Sequence, residues 1–217
     1  MKLFLDTADT DLIQEGYSTG LIDGITTNPS LIRKSGRDPE KVYEDLIEMG
    51  LMDISMEVVG NRKEMYEEGL RLSKKFASQA TIKVPCTFEG LKACKQLSTD
   101  EINVNVTLVF DTAQAILAAK AGATYVSPFV GRVFDQSFDG FGVIEEIADV
   151  FATHQAPTQV LAASIREVYQ VSKSFKVGAD ICTIPITVFH KMYRHILTDK
   201  GLELFDNDWK QLQEKLK

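Results

Sequence analysis

Along the whole chain, a short run of strand-forming residues is followed by a longer amphipathic stretch. This alternation constrains the fold more than any other feature. The strand segments are Leu3–Asp6, Gly24–Asn28, Ile54–Val59, Thr81–Pro85, Val104–Val109, Tyr125–Val130, Gln159–Ser164 and Ile181–Pro185. Helical periodicity marks Pro39–Gly50, Lys63–Ala77, Phe88–Leu97 and Thr112–Ala121, and a last amphipathic segment runs from Lys200 to Lys217. No Pro, Gly or Ser linker divides them. Strands separated by helices pair in parallel. Eight units in 217 residues, about 27 residues each, predict one (β/α)8 TIM barrel spanning 1–217 with an additional C-terminal helix, slightly below the usual ~250 residues. A doubly wound sheet would call for a Gly-rich phosphate loop after the first strand. That turn instead reads Asp6-Thr7-Ala8-Asp9.

Charge narrows the class of function. Lys plus Arg number 24 against 31 Asp plus Glu, a net charge of −7, which disfavours a nucleic-acid or membrane-surface partner. No run approaches the ~18 apolar residues of a membrane span, and Asp6 interrupts the N-terminal apolar run before a signal-peptide core forms. A cytoplasmic chain is expected. Cys86, Cys94 and Cys182 are an odd number and widely spaced, so reduced thiols are the simplest reading. His154, His190 and His195 fall in helical or helix-flanking segments, which gives little support to a histidine metal site or a Ser-His-Asp triad. No cofactor is implied.

Side chains alternate along a barrel strand between the helices and the lumen. Sorted by parity, Ile82 and Val84 face the helices, and Thr81, Lys83 and Pro85 face inward. Ile54, Met56 and Val58 point outward, leaving Ser55 and Glu57 inside. Val104, Val106 and Leu108 point outward, opposite Asn103, Asn105 and Thr107. The same sorting sends inward Asp6 with Phe4, Thr26 with Asn28, Ser127 and Phe129 with Tyr125, and Ser164 with Ala162. Such a lumen is unusually polar, and its polar groups lie toward the C-terminal strand ends, where active sites of this fold sit. A lysine buried beside two carboxylates is costly unless paired. Chemistry therefore explains the pattern better than packing does.

An inward lysine stripped of water attacks a carbonyl more readily as the neutral amine, forming a Schiff base that then serves as an electron sink. Asp6 and Glu57 are the carboxylates available for the accompanying proton transfers, and either can instead be a structural partner of Lys83. Thr26, Asn28, Thr107, Ser127 and Ser164 offer neutral donors and acceptors for a polyhydroxylated substrate. Arg132 and Arg166 follow the sixth and seventh strands, where a guanidinium fork can grip phosphate. Pairing with acids such as Asp135 or Glu167 is the plainer alternative.

Together these residues resemble a known family. Phe4-Leu5-Asp6-Thr7-Ala8, Gly24-Ile25-Thr26-Thr27-Asn28-Pro29-Ser30, Ile82-Lys83-Val84-Pro85, Asn105-Val106-Thr107-Leu108-Val109-Phe110, Ser127-Pro128-Phe129-Val130-Gly131-Arg132 and Ala163-Ser164-Ile165-Arg166 are similar to the transaldolases. The short chain resembles the small-subunit branch shared with fructose-6-phosphate aldolase. The resemblance implies a metal-free Class I mechanism: Lys83 as the Schiff-base lysine, Asp6 as general acid/base, and Glu57 with Thr107 holding a catalytic water. It further implies that Asn28 and Ser127 bind the dihydroxyacetone moiety and that Arg132, Ser164 and Arg166 bind phosphate.

The branch's aldolases are similar but carry Gln where this chain has Glu57 and Tyr where it has Phe129. Both positions look like transaldolase. The implied activity moves a dihydroxyacetone unit from sedoheptulose 7-phosphate to glyceraldehyde 3-phosphate, in the pentose phosphate pathway; cleavage of fructose 6-phosphate is the alternative. A catalytically silent sugar-phosphate binding barrel is disfavoured because Asp6, Glu57 and Lys83 are all present. Leu202, Leu204, Phe205, Trp209 and Leu212 lie beyond what barrel closure requires. Their segment either folds on its own barrel or, as the resemblance implies, clasps a neighbour in a decamer of two pentameric rings.

Overall fold

Runs such as Val104-Asn105-Val106-Thr107-Leu108-Val109 are rich in β-branched residues and alternate apolar with polar as far as Thr107, and each becomes a strand of one sheet. The computed structural model describes residues 1–216; Lys217, the last position of the expected C-terminal helix, lies outside the described residues. The strands are β1 (Lys2–Asp6), β2 (Gly24–Thr26), β3 (Ile54–Glu57), β4 (Ala80–Pro85), β5 (Val104–Val109), β6 (Tyr125–Pro128), β7 (Gln159–Ala162) and β8 (Ile181–Ile184). Each pairs in parallel with the next and β8 returns to β1, so the sheet closes as a barrel.

The helices are α1 (Thr10–Tyr17), α2 (Pro29–Ser35), α3 (Pro39–Glu48), α4 (Arg62–Phe76), α5 (Phe88–Thr99), α6 (Thr112–Ala121), α7 (Val130–Asp135), α8 (Gly140–Thr153), α9 (Val168–Lys176), α10 (Ile186–Met192) and α11 (Ile196–Lys215). Local chemistry sets their starts. In α4, Asn61 accepts from the amide of Glu64, whose carboxylate accepts from the amide of Asn61, a reciprocal cap. No helix among the described residues is long and apolar enough to cross a membrane.

Two apolar layers hold the molecule. The larger lies between barrel and helices and includes Ile25, Ile54, Met56, Ile82, Val84, Val104, Val106 and Cys182. The smaller fills the lumen with Phe4, Tyr125, Leu161, Ala163 and Ile181, and the rings of Phe4 and Tyr125 meet edge to face. Gly24 makes room for this packing, because a Cβ there would lie 2.7 Å from the Phe4 ring and 2.7 Å from the Asp53 carbonyl. Below it, Asp53 accepts from Thr81 Oγ1 at 2.9 Å and from the Tyr125 hydroxyl at 2.6 Å. Burial pushes the Asp53 carboxyl up from its ordinary value. Apolar packing and this polar knot close the floor, leaving the C-terminal strand ends as the open polar mouth.

Two parity expectations are corrected. Leu161 and Ala163 fill the lumen while Ala162 belongs to the outer layer, the reverse of the expected phase. Ser164 still reaches the mouth, because β7 has ended and Ser164 adopts φ of 58°. In β5, the pairing with β6 shifts between Val106 and Val109, and Leu108 sits at φ of 59°. This irregularity places Val109, rather than Leu108, in the outer layer.

Candidate active site

Lys83 is carried by the middle of β4 between Ile82 and Val84, both fully buried, and is itself only 4% exposed. Its Nζ donates to the backbone carbonyl of Thr27 at 2.9 Å and lies 3.0 Å from Glu57 Oε2. Register explains the ion pair, since Glu57 is directly opposite Lys83 across the β3–β4 ladder. A charge taken from water is tolerable only with such partners.

Asp6 ends β1 beside Thr26 of β2. Thr26 Oγ1 donates to Asp6 Oδ1 at 2.8 Å and lies 2.6 Å from Thr183 Oγ1. The single proton of Thr26 is spent on Asp6, so Thr183 is the donor in the second bond. Burial raises the Asp6 carboxyl above its ordinary value, partly offset by the Lys83 charge and the Thr26 bond. The Thr183–Thr26–Asp6 chain thus fixes one oxygen of an acid inclined to hold its proton.

The neutral residues are oriented in the same way. Asn28 caps α2, its Oδ1 accepting from Leu31 N at 3.0 Å, which leaves its amide donors for the cavity. Ser127 Oγ donates to Asn105 Oδ1 at 2.6 Å, and Asn105 Nδ2 donates to Ser55 Oγ at 3.1 Å, so Ser127 presents lone pairs. Thr107 Oγ1 is buried and has no hydrogen-bond partner among the described residues. A buried hydroxyl without a partner is costly unless something else satisfies it. Arg132 lies with Cζ 4.9 Å from the centroid of the Phe129 ring, a cation–π contact that holds it over the mouth.

These groups line one cavity of about 110 Å³, formed by Asp6, Thr26, Asn28, Lys83, Thr107, Ser127, Phe129, Arg132 and Ser164 together with Leu161, Ala163 and Thr183. Nine of the eleven residues picked out in the sequence are therefore brought together. The other two do not line it: Glu57 backs Lys83, and the half-exposed Arg166 is held by Asp135 at 2.5 Å. A larger cleft of about 740 Å³ lies at the opposite end, near Glu145, Asp149, Lys176 and Asp180. It holds none of these convergent groups, so size does not locate the chemistry. Sequence reasoning missed Thr183, whose inward parity becomes visible only once the structure puts Ile181 in the lumen. It also missed the Thr27 carbonyl, which side-chain patterns do not reveal.

A closed β/α barrel with a buried lysine and carboxylates at its C-terminal mouth defines an enzyme-like centre. The model of the transaldolase/fructose-6-phosphate aldolase family matches residues 3–216. Proteins named probable transaldolase are similar throughout: one from Paracoccus denitrificans (strain Pd 1222) is 48% identical over 217 residues, covering 100% of both chains. Those of Clostridioides difficile (strain 630) and Caulobacter vibrioides (strain NA1000 / CB15N) are each 47% identical, covering 100% of both chains and 96% of both chains respectively. The chain belongs to the transaldolase/fructose-6-phosphate aldolase family. Family and relatives together support a transaldolase-type enzyme.

Proposed function

We propose that the protein is a transaldolase that transfers a dihydroxyacetone unit between sugar phosphates through a Schiff base on Lys83. The observation that carries this reading is the buried Lys83 Nζ, 3.0 Å from Glu57, in a cavity it shares with Asp6 and the unpartnered Thr107 hydroxyl. The neutral amine attacks the ketose carbonyl, with Glu57 close enough to take up a proton. Water leaves and the iminium forms. Asp6 accepts the proton of the departing C4 hydroxyl as the C3–C4 bond breaks, and the electron pair delocalises into the iminium. The first aldehyde leaves, the enamine attacks the second, and Asp6 returns the proton to the new hydroxyl. Hydrolysis by a water held between Glu57 and Thr107 frees the product ketose.

Arg132, Ser164 and Arg166 are assigned to the phosphate, Asn28 and Ser127 to the dihydroxyacetone hydroxyls. Borohydride with fructose 6-phosphate should inactivate the enzyme and add a three-carbon mass at Lys83; labelling elsewhere would refute the assignment. Product analysis with fructose 6-phosphate, with and without erythrose 4-phosphate, tests the reaction type. Acceptor-dependent turnover marks transfer, whereas glyceraldehyde 3-phosphate formed without acceptor marks an aldolase. We further assign the protein to a cytoplasmic homo-oligomer joined through α11.

A further inference from the structure

Arg166 is the one phosphate candidate whose fork is already filled. Its Nη1 and Nη2 donate to the two carboxylate oxygens of Asp135, each at 2.5 Å. Asp135 ends α7, and Arg166 follows β7, so the pair bridges the two segments leaving the sixth and seventh strands. The arginine end is otherwise held. Gln170 Oε1 accepts from the backbone amide of Arg166 at 2.8 Å. Gly131 lets Arg166 and Ser164 approach: the point where a Gly131 Cβ would sit lies 2.9 Å from Arg166 Nε and 3.0 Å from Ser164 Oγ. Arg166 holds the Asp135 carboxyl below the usual carboxylate range, and Arg132 adds to the effect.

Resting on the phosphate reading above, we propose that Asp135 sets the affinity of the phosphate site: it is an internal anion that occupies Arg166 until a dianionic phosphate displaces it. Arg166 and Asp135 have side chains 50% and 46% exposed, so water screens their attraction and the bond is exchangeable. Bidentate seating of a phosphate on the end of the fork requires Asp135 to leave. A carboxylate terminus carries the same single charge as Asp135 and gains nothing by the exchange. A phosphate monoester carries about −1.5 to −2 near neutral pH, with a third oxygen free for Arg132 or Ser164. Asp135 thereby lowers the affinity of every anion that seats on the end of the Arg166 fork by the same factor, and it is at hand to retake Arg166 when a phosphorylated product departs.

The test compares Asp135→Asn, Asp135→Glu and Arg166→Ala in the full-length protein, with inorganic phosphate as the calorimetric probe. KM is measured in parallel for fructose 6-phosphate and for unphosphorylated dihydroxyacetone. Asp135→Asn should tighten phosphate and lower the fructose 6-phosphate KM by roughly two- to fivefold, with the dihydroxyacetone KM unchanged. Asp135→Glu, which keeps the charge, should stay near wild type. Arg166→Ala should weaken phosphate. If Arg166→Ala weakens phosphate but Asp135→Asn weakens it too or leaves it unchanged, Asp135 is a support for Arg166 and the proposal is overturned while the phosphate site stands. If Arg166→Ala leaves phosphate binding unaltered, the phosphate reading falls and the proposal falls with it.

Discussion

Asp6 and Glu57 flank the same lysine but meet different surroundings. Glu57 is committed to Lys83 Nζ, whereas the Asp6 carboxyl is raised chiefly by burial. A carboxyl raised in the folded state binds protons more tightly there than in the unfolded chain, so it detracts from stability at neutral pH. That penalty fades as pH falls through the raised folded value and is gone below the ordinary value of 3.8. Asp6→Asn, which mimics the protonated acid, should therefore melt higher than wild type at neutral pH, with the gap closing toward pH 3.8 in calorimetric scans. The same variant should lose activity by about 10²- to 10⁴-fold. At Phe129, the ring supports Arg132, and the proposed reaction makes its lack of a hydroxyl a determinant of how water is activated. Phe129→Tyr keeps the ring and should raise acceptor-independent cleavage of fructose 6-phosphate relative to transfer, and adding Glu57→Gln should push the ratio further. An unchanged ratio in both would remove Phe129 and Glu57 as determinants of reaction type. Phe129→Leu instead removes the cation–π support and should raise the KM for phosphorylated ketoses by about two- to fivefold.

At the level of elements, the strand ends decide where the polar groups go. Ser164 at φ of 58° is in the left-handed region, which costs a residue with a Cβ about 1 kcal/mol or more. Ser164→Gly and Ser164→Ala both remove the hydroxyl, but only glycine relieves the backbone. The two should show the same rise in fructose 6-phosphate KM, while the glycine variant unfolds with about 1 kcal/mol more free energy than the alanine variant. Alternation revealed all eight strands and, through Lys83, Glu57, Asp6 and Ser127, most of the inward set. It failed at Ala162 and Leu108 because a positive φ or a bulge resets the phase without marking the residue type. Asp135 was visible as a neighbour of the arginines, but its grip on Arg166 depends on how α7 and the segment after β7 converge, which no local pattern contains.

For the molecule as a whole, α11 is the exception to a well-buried fold. It has no buried residue, and Leu202, Phe205, Trp209, Leu212 and Leu216 form a stripe at alternating spacings of three and four, 47% to 77% exposed. Spacing of this kind seeks a partner surface. The described helix buries none of its residues against its own barrel, which favours the clasp of the two alternatives drawn from the sequence. Truncation after Thr198 should reduce the particle measured by light scattering to a smaller species; a mass that falls only by the residues removed would count against the clasp. Under the proposed clasp, a joint with α11 on one side and a barrel surface of the next copy on the other is directional, and joints of that kind close a ring when the repeated rotation returns to the first copy. Each copy then gives one joint and receives one. A truncated chain mixed with full-length chains can still receive a helix but cannot pass one on, so a single such copy opens the whole ring. The yield of intact rings from co-refolded mixtures should accordingly fall as a power of the full-length fraction rather than in proportion to it.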